Sequence, residues 1–575
     1  MRRLQTDILI LGAGGAGLFA ALHAHQADPS LAITVAVKGL LGKCGCTRMV
    51  QGGYNVALGA GDSVERHFMD TIEGGAWLPD QDLAWTLCSG AVERVRELEN
   101  ELGCFFDRNP DGSIHQKAFA GQTFDRTVHK GDLTGIEIMN RLAEAVWARA
   151  IGRLEEHRAQ ALIKSGDGEA IAGALLIDMR SGEYVLVQAR AVLLATGAGP
   201  TMYRFHTPSG DKSCDGLALA LAAGLPLRDM EMVQFHPTGL LAGPDTRMTG
   251  TVLEEGLRGA GGHLLNGAGR RFMVDVDARA ERATRDIVAR AIYAEMRAGR
   301  TTPEGGVYLS MAHLGPDHVR RQFKGMVERC ADCGFDLAGG RVEVVPTAHY
   351  LMGGVEFAPD CSTEQPGLFV AGEDSGGVHG ANRLGGNGVA NSTVFGGIAG
   401  ATMARWVARH GALREPDAQA VAAAIAQAEI PFASRHPDGA DLVSIREHLY
   451  ATMWDDAGIV RNAAGLARAD EALSVLAALH REYALPAAGR ERRFNLAWHD
   501  WLNLGSLIAV SRLIVCAARA RENSRGAHYR DDFPDPGDWA TSAYTRVRLR
   551  EGSLESHSLP VRFSRVRPGE SLLAR

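Results

Sequence analysis

The spacing of hydrophobic and polar positions divides the chain into segments of different character. Residues 6–37 have the pattern of an apolar strand, a glycine loop, an alanine-rich helix and a second strand, Ala32–Val37. Residues 183–196 predict two further strands, and the apolar run 367–372 predicts another buried strand. These segments, distant in the chain, predict one nucleotide-binding α/β sheet.

Two other segments have helical patterns. Residues 237–345 contain amphipathic stretches around Arg282–Met296 and Pro316–Arg329 with few strands, which indicates a cap inserted between two halves of the sheet domain. Residues 417–525 alternate apolar and charged positions at helical spacing and predict a helical C-terminal domain. From about Tyr544 the chain is rich in arginine and mixed in pattern, as expected of a segment that wraps or docks onto the rest.

Composition narrows the class of protein. The chain has 575 residues, 22% of them charged, and a net charge of −7, which is ordinary for a soluble enzyme and gives no reason to expect nucleic acid as a partner. No stretch reaches the roughly 20 apolar residues of a membrane span. Nine cysteines include a single C-x-x-C, at Cys330 and Cys333, so we expect no metal site and a reducing, cytoplasmic location.

Two glycine-rich loops carry the strongest chemical signal. Gly12, Gly14 and Gly17 form a G-x-G-x-x-G between a predicted strand and a predicted helix. His379–Gly397, HGANRLGGNGVANSTVFGG, places Arg383 in a second glycine loop that leads into a helix. Helix N-termini bind anions, and a fixed guanidinium grips a carboxylate with two hydrogen bonds. Both loops together predict one large nucleotide cofactor.

The second strand indicates which cofactor. NAD binding favours an acidic residue at the end of this strand, but the strand ends in Val37-Lys38. Plain NAD is therefore disfavoured, which leaves FAD or a 2′-phosphorylated dinucleotide. We predict an α/β fold in which a Rossmann-like FAD-binding domain comprises residues 1–236 and 350–412. An inserted α+β capping domain spans 237–349, a helical domain 413–543 and a C-terminal tail 544–575.

Ordered motifs then place the chain among known proteins. It resembles the flavoprotein subunits of succinate dehydrogenase and fumarate reductase, a family whose wider membership includes L-aspartate oxidase. The resemblance runs nearly end to end and rests on GAGGAG at 12–17, Val37-Lys38, Gln51-Gly52-Gly53, ATGAG at 195–199, Cys214-Asp215-Gly216, QFHPTG at 234–239, EEGLRGAGG at 254–262, PTAHYLMGG at 346–354, AGE at 371–373, HGANRLGGNG at 379–388 and SRGAHYRDDFP at 524–534.

The resemblance implies cofactor contacts. FAD is expected across the first glycine loop, and the helix that starts near Asn387 is expected to point at the flavin edge, where its dipole stabilises negative charge. The implied cofactor-binding residues are Gly12, Gly14, Gly15, Gly17, Lys38, Thr47, Gly52, Gly53, Asp215, Glu373 and Asn387.

The resemblance also implies substrate chemistry on a C4 dicarboxylate. His236, His349 and Arg383 are expected to bind the substrate carboxylates, and Phe119 to cover the substrate and exclude water. Arg285 is expected to move a proton at the carbon next to the one that exchanges a hydride with the flavin, with Glu255 and Arg258 as its relay to solvent. A guanidinium pKa above ~12 makes this role unusual, and a purely clamping Arg285 needs no such exception.

Two positions depart from the family pattern. The histidine that carries covalent flavin in many members is replaced by Cys46, so we expect non-covalent FAD, with a thioether to Cys46 or Cys44 as the lesser alternative. Glu254 stands where the family usually has a threonine that contacts a substrate carboxylate. It either turns away to an arginine such as Arg258 or alters specificity towards an amino-bearing or longer acid.

Three functions remain open on sequence alone. The leading one is a succinate/fumarate-class oxidoreductase that passes electrons to an iron–sulfur protein or another carrier. It would be cytoplasmic or peripheral at the inner face of a membrane, with membrane contact only through a partner. The second is an oxidase like L-aspartate oxidase with non-covalent FAD, acting on an amino-dicarboxylate. The third is a non-catalytic binding protein, which the set His236, Arg285, His349 and Arg383 argues against.

Overall fold

A computed structural model describes residues 1–244, 246, 248–433, 441–486 and 489–573. Residues 434–440 and 487–488, in the predicted helical domain, and 574–575, in the predicted tail, lie outside the described residues. So do Asp245 and Arg247 in the predicted cap.

The described residues form strands and helices that alternate in the first half and become mainly helical in the second. The strands are β1 (Arg2–Leu11), β2 (Ile33–Val37), β3 (Tyr54–Asn55), β4 (Gln116–Lys117), β5 (Thr127–Val128), β6 (Ile151–Glu155), β7 (His157–Lys164), β8 (Ile171–Asp178), β9 (Tyr184–Leu194), β10 (Leu227–Arg228), β11 (Val233–Leu240), β12 (His263–Leu265), β13 (Val307–Ser310), β14 (Val342–Leu351), β15 (Gly354–Val355), β16 (Leu368–Val370), β17 (Ala543–Arg550) and β18 (Ser553–Pro560). The α-helices are α1 (Gly15–Ala27), α2 (Val64–Gly74), α3 (Gln81–Asn100), α4 (Thr134–Trp147), α5 (Asp215–Ala222), α6 (Gly256–Gly259), α7 (Arg285–Arg297), α8 (Pro316–Gln322), α9 (Lys324–Asp332), α10 (Asn387–His410), α11 (Ala418–Ala428), α12 (Ile430–Ala433), α13 (Leu442–Asp455), α14 (Ala463–Glu482) and α15 (Leu496–Ala520).

The central sheet confirms the predicted α/β fold. Its strand order is β6-β2-β1-β9-β8-β7, and β16 also pairs with β9. Strands β6, β2, β1, β9 and β16 run parallel, whereas β7 and β8 form an antiparallel edge. The apolar side chains in the second half of β1 and along β9 are buried, which explains why both read as nearly continuous hydrophobic runs.

One predicted detail of this sheet is wrong. Residues 183–196 predicted two strands, but they form the single eleven-residue strand β9. Its parallel pairing with β1 keeps one register from Arg2 opposite Val185 to Leu11 opposite Leu194. The intervening Gln188-Ala189-Arg190 contains no residue that favours a turn, so nothing breaks the ladder.

Two helices on the sheet bring the glycine loops together. Helices α1 and α10 cross in close contact because glycines on α10 face the backbone of α1. A Cβ atom at Gly396 would lie 2.6 Å from the Ala16 carbonyl oxygen, and one at Gly400 would lie 2.2 Å from that of Ala20. Any larger residue would push the helices apart. These glycines therefore allow the N-termini of α1 and α10 to lie beside the same cavity.

The inserted segment folds around a second, antiparallel sheet in the order β11-β14-β13-β12, packed with α7–α9. The helices confirm the two amphipathic stretches predicted from sequence. Strands β11 and β14 pair with His236 opposite Thr347. This register places His236 and His349, from opposite ends of the segment, on neighbouring strands.

The C-terminal part combines helices with a hairpin. Helices α13–α15 pack together, and β17–β18 form an antiparallel pair that continues a small sheet with β10 and β15. Within the described residues, α15 alone is long and apolar enough to cross a membrane, with a mean hydropathy of 1.6 in a window that is 67% buried in the protein. This corrects the expectation that no stretch has that length and composition. The burial is that of a domain-core helix.

Candidate active site

Two connected cavities adjoin the first glycine loop, and the larger one extends to the second glycine loop and the cap. The larger has a volume of about 1310 Å³, its opening included, and the smaller has about 620 Å³. Gly14, Gly45, Thr196, Gly197 and Lys212 line both cavities and therefore join them. The predicted residues in the larger lining are Gly14, Gly15, Cys46, Thr47, Gly52, Gly53, Phe119, His236, Glu254, Glu255, Arg285, His349, Glu373 and Arg383, and those in the smaller are Gly12, Gly14, Lys38 and Asp215.

The first glycine loop leaves room for a ligand backbone. Gly12 has φ +116°, and a Cβ there would lie 2.1 Å from the Ala195 carbonyl oxygen, so only glycine fits. Gly17 packs against Gly12 instead of lining a cavity, since its Cβ would lie 1.9 Å from the Gly12 oxygen. Gly14 has no side chain to cap the start of α1, where the Gly15 N–H donates to the Thr47 hydroxyl at 3.2 Å. The N–H groups there suit a pyrophosphate.

Charged groups line the smaller cavity. Lys38 Nζ donates hydrogen bonds to Asp215 at 2.8 Å and to Ser213 at 3.0 Å, and Arg158 donates to Asp215 at 2.8 Å. Burial acts to raise the pKa of Asp215, but the cations of Arg158 and Lys38 outweigh it and the net shift is downward. Asp215 is therefore ionised and can accept hydrogen bonds from sugar hydroxyls. This donor and acceptor set fits the nucleoside end of a dinucleotide.

The side chain of Asn387, a residue predicted to bind the cofactor, turns away from both cavities. Asn387 is fully buried and lies outside the lining of both cavities. Its Oδ1 accepts from Asn55 at 2.8 Å and hydrogen-bonds with His67 at 2.9 Å, and its Nδ2 donates to Thr71 at 3.1 Å. Asn387 thus anchors the start of α10, while the neighbouring Gly386 and Gly388 line the cavity.

Glu373 lines the larger cavity beside the glycine loops. It accepts a hydrogen bond from the Leu351 backbone N–H at 3.0 Å. Burial raises the pKa of Glu373 to about 7, because that bond and the ammonium of Lys212 offset only part of the desolvation. The carboxyl group can therefore both donate and accept near neutral pH.

Arg383 is buried with most of its hydrogen-bonding capacity unused. It is 5% exposed, its Nε has no partner among the described residues, and its Nη1 makes only a long bond of 3.4 Å to the Leu384 carbonyl. Its guanidinium lies 4.4 Å from the centre of the Tyr350 ring. Burial, followed by repulsion from Arg285, lowers the pKa of Arg383 to about 10. This cation is still charged at neutral pH and makes no ion pair with an anion of the described residues.

Arg285 begins helix α7 in the cap and faces the same cavity. Its Nη2 donates to Glu255 at 2.6 Å and its Nη1 donates to Gln234 at 3.0 Å. The other oxygen of Glu255 accepts from Arg258 Nη2 at 3.0 Å. Arg258 lies behind Glu255, fully buried and outside the cavity lining, so Arg285, Glu255 and Arg258 form a continuous chain leading away from the cavity.

The charges of Arg285, Glu255 and Arg258 alternate along this chain. Burial acts to raise the pKa of Glu255, but Arg285 and then Arg258 outweigh it, and the net shift is downward. Burial lowers the pKa of Arg258, an effect that Glu255 partly reverses. An ionised carboxylate between two guanidiniums is the stable arrangement here.

The two histidines face each other across 5.3 Å between ring centres. Burial, followed by the positive charge of Arg285, holds the pKa of both His236 and His349 well below the usual range. The Thr207 hydroxyl hydrogen-bonds with His349 Nδ1 at 2.7 Å, and the Thr238 backbone N–H donates to His236 Nδ1 at 3.3 Å. Both imidazoles are neutral near pH 7, and His236 is left with Nε2–H as a donor.

Glu254 has a different partner from the one expected. Instead of turning to Arg258, it accepts a hydrogen bond from Lys117 Nζ at 3.1 Å, and its side chain is 5% exposed. Burial raises the pKa of Glu254, and Lys117 offsets part of that shift. Glu254 therefore lines the cavity as half of a neutral pair.

Phe119 covers the cavity between two glycines. A Cβ at Gly52 would lie 2.3 Å from its ring, and one at Gly385 would lie 2.7 Å from it. Phe119 is 4% exposed, so the ring closes this side of the cavity to water.

Sequence reasoning missed three residues of this site. Gln234 bridges the two arginine segments, because its Oε1 accepts from Arg285 and its Nε2 donates to the Arg383 carbonyl at 2.7 Å. Tyr350 stacks on Arg383, and Lys117 neutralises Glu254. Gln234 and Tyr350 lie in the motifs QFHPTG and PTAHYLMGG, within two residues of His236 and His349, and this proximity was the signal that could have identified them. Lys117 has none, since its partner is 137 residues away.

Two joined cavities, one with donors and acceptors for a nucleoside and one with buried cationic groups, are expected of FAD-dependent oxidoreductases that act on anionic substrates. Comparison with known sequences agrees. The family of FAD binding domains matches residues 7–389, and the family of fumarate reductase flavoprotein C-terminal regions matches residues 446–572.

Individual relatives are similar over almost their whole length. The chain is 39% identical over 537 residues to one subunit of the CoM/CoB fumarate reductase of Methanothermobacter marburgensis, covering 92% of this chain and 95% of that protein. It is 34% identical over 550 residues to the fumarate reductase flavoprotein subunit of Escherichia coli K12, covering 92% and 89%. The structure of an E. coli quinol fumarate reductase variant matches with a TM-score of 0.92 at 32% identity, over 99% of both chains.

The chain therefore belongs to the family of fumarate reductase and succinate dehydrogenase flavoprotein subunits. It is an FAD-dependent oxidoreductase of the succinate/fumarate class.

Proposed function

We propose that this protein interconverts fumarate and succinate, with Arg383, His236 and His349 binding the carboxylates and Arg285 moving the proton. The observation that carries the proposal is the buried guanidinium of Arg383, whose donors are almost all free and which shares a cavity with Arg285. An unpaired buried charge is costly, so the site is built for an anion.

The charges of the site support a substrate with two carboxylates. Arg285, Arg383 and Arg258 supply three positive charges and Glu255 removes one, while the pair Lys117–Glu254 adds none. The neutral histidines donate hydrogen bonds without further charge. A C4 dicarboxylate with two negative charges balances the remainder. An amine-bearing substrate needs a free acid, and the cavity carboxylate of Glu254 is held by Lys117.

The residues of the chain then divide the work. When bound, FAD supplies or accepts the hydride at one carbon of the substrate. Arg383 and the histidines hold the substrate in a fixed orientation and polarise its double bond. Phe119 excludes water from the site. Arg285 gives a proton to the neighbouring carbon during fumarate reduction and takes one from it during succinate oxidation, and Glu255 and Arg258 relay the proton to and from Arg285.

An anaerobic screen tests the proposal. The flavin absorbance of the purified protein is followed on addition of succinate or L-aspartate to oxidised protein, and of fumarate to reduced protein. We expect succinate to bleach the flavin and fumarate to restore it. Bleaching by L-aspartate alone, with hydrogen peroxide formed in air, would reassign the protein as an L-aspartate oxidase-like enzyme. No response to any acid would favour the non-catalytic alternative.

The cofactor is proposed to be bound without a covalent bond. Cys46 lines the larger cavity, but burial raises the pKa of its thiol to about 12, so the nucleophilic thiolate is scarce at neutral pH. Burial likewise raises the pKa of Cys44. After acid precipitation, we expect the protein mass of the sequence alone and free flavin in the supernatant. A protein mass increased by one FAD would contradict this, and loss of that increase in Cys46→Ser would locate the bond.

Electrons are proposed to pass to a partner protein that carries iron–sulfur clusters or to another carrier. Relatives are named as subunits, among them the flavoprotein subunit of the 8-methylmenaquinol:fumarate reductase of Wolinella succinogenes. We propose that the chain works with this partner in the cytoplasm or at the inner face of a membrane. Co-purification of an iron–sulfur protein with the tagged chain from its own cells would identify the partner. Isolation of the tagged chain alone, still active with a soluble carrier, would contradict a stable complex.

A further inference from the structure

The two arginines of the site belong to different parts of the fold. Arg285 begins the cap helix α7, whereas Arg383 lies in the loop before α10 of the main domain. The buried Gln234 hydrogen-bonds to both segments. The separation of Arg285 and Arg383 also depends on the contacts outside the cavity that hold the cap against the main domain.

A C-terminal loop, Ser524–Asp532, contacts the segment that carries Arg383. The Ala527 backbone N–H donates to the Ala381 carbonyl at 2.8 Å, two residues before Arg383. The preceding Gly526 has φ +51°, and a Cβ there would lie 2.4 Å from the same carbonyl oxygen. Only glycine permits this approach, so the loop is pressed directly against the Arg383 segment.

The same loop also holds the cap helix. Arg290, about one and a half turns after Arg285 on α7, donates from Nη1 to the Gly526 carbonyl at 2.6 Å. Its guanidinium also lies 5.2 Å from the centre of the Tyr529 ring and 3.2 Å from Asp286. A charged donor on a carbonyl, supported by an aromatic face and a carboxylate, is among the stronger contacts available at a partly exposed position.

The loop itself is fixed from behind. The Arg461 backbone N–H donates to the Tyr529 carbonyl at 3.0 Å, and Arg461 Nη1 hydrogen-bonds with His528 Nδ1 at 2.8 Å. Arg461 is 1% exposed. Because the loop is held in place, it can couple the position of α7 to that of the Arg383 segment, whereas a mobile loop could not.

We propose that Arg290 is a positioning residue that latches the cap over the active site, so that Arg285 and Arg383 face one substrate at a fixed separation. The proposal rests on the proposed roles of those two arginines. Loss of the latch would populate open states in which the arginines no longer converge. The apparent substrate affinity then falls in proportion to the closed fraction, while the chemistry of the closed state is unchanged.

The chain provides a matched control. Arg297 lies on the same helix and pairs with Asp531 of the same loop, but at 3.8 Å and with its side chain 60% exposed. Exposed pairs of this kind contribute little. Arg290→Met and Arg297→Met remove the same charge from the same helix, so their difference isolates the latch.

The experiment compares the FAD-loaded full chain, R290M, R290K and R297M. Fumarate reduction with a reduced viologen dye gives KM and kcat, and hydrogen–deuterium exchange without substrate gives the opening of α7. For R290M we expect KM about tenfold higher, kcat within about threefold and faster exchange across α7. R290K, which keeps a donor, should fall between R290M and the unchanged chain, and R297M should match the unchanged chain.

The outcomes separate the latch from the proposed function. Absence of fumarate turnover in the unchanged chain refutes the proposed function, and the exchange data then decide the latch alone. Unchanged KM and exchange in R290M, or equal effects in R297M, overturn the latch. A loss of kcat with constant KM also overturns it, because that pattern indicates damage to the chemistry. If R290M does not fold, the KM and exchange of R290K decide, since unchanged values there refute the latch.

Discussion

One oxygen of the Glu255 carboxylate accepts two hydrogen bonds from Arg285, at 2.6 Å from Nη2 and 3.2 Å from Nε. The other oxygen accepts from the fully buried Arg258. Glu255 thus fixes the Nε–Nη2 edge of Arg285 and connects it to a second guanidinium. The arrangement orients Arg285, and in the proposed function it relays protons between Arg258 and Arg285.

Replacing Glu255 tests this route. Glu255→Gln keeps the volume and one acceptor but cannot carry a proton between the arginines. We expect kcat for fumarate reduction to fall roughly 10²-fold or more while KM changes little, because a positioned proton donor contributes this much. Steady-state assays with reduced viologen measure both parameters. The neighbouring Glu254→Gln is the control, and a comparable loss of kcat there would contradict a specific role for Glu255.

Arg383→Lys tests the carboxylate grip. A lysine keeps the charge but loses the planar fork and the contact with the Tyr350 ring. We expect kcat/KM for fumarate to fall at least about 30-fold, or about 2 kcal/mol. Arg405→Lys, on the exposed face of α10, should leave kcat/KM unchanged. Retained activity in R383K would show that the charge alone suffices and that the geometry of Arg383 is not used.

The pair Lys117–Glu254 predicts that a second substitution restores the KM for fumarate that the first one raises. Lys117→Met removes the cation that offsets the burial of Glu254, so at any pH at which Glu254 is still ionised its repulsion should raise KM for fumarate about tenfold or more. Glu254→Gln alone should not raise KM, and the double variant K117M/E254Q should restore it. A double-mutant cycle of KM values measures the coupling. Additive effects would mean that Glu254 does not face the substrate.

His499 predicts a pH effect on stability. It is buried with neither ring nitrogen partnered among the described residues, and burial, followed by the charge of Arg158, lowers its pKa to about 3. Between pH 6.5 and pH 3 the unfolded chain binds a proton here that the folded chain does not. Folding therefore loses about 1.4 kcal/mol per pH unit as pH falls through this window.

His499→Leu removes that loss. Both proteins are unfolded by heat at several pH values. As pH falls from about 6.5 to about 4.5, the stability of the variant should rise relative to that of the parent, whatever the difference at neutral pH. His410→Leu, which removes an exposed imidazole, is the control for the loss of one ionisable side chain. A constant difference between H499L and the parent would mean that His499 is protonated in the folded state.

Local patterns were sufficient to predict much of the fold and the site. The G-x-G-x-x-G between strand and helix, and the glycines before α10, predicted both walls of the cavity because turn and helix-start chemistry is local. His236, Arg285, His349 and Arg383 were found because each lies in a short motif, and the structure brings all of them to one cavity.

Contacts made only on folding were not predicted. Lys117 reaches Glu254 across 137 residues, and Arg290 reaches Gly526 across 236 residues, with no local pattern that marks either pair. Asn387 was placed on the correct helix start, but its side chain turns to Asn55 and His67 instead of the cavity. Side-chain direction at a helix start depends on neighbouring elements that the local sequence does not contain.

The most direct test of the account is a single-turnover measurement. The FAD-loaded protein is reduced with dithionite without oxygen and mixed with fumarate in a stopped-flow spectrometer, beside R285Q. We predict rapid return of the oxidised flavin absorbance in the unchanged protein, and a return at least roughly 10²-fold slower in R285Q even at saturating fumarate. A reduced flavin that fumarate does not oxidise, or equal rates in both proteins, would contradict the claim that Arg285 and Arg383 form one dicarboxylate site.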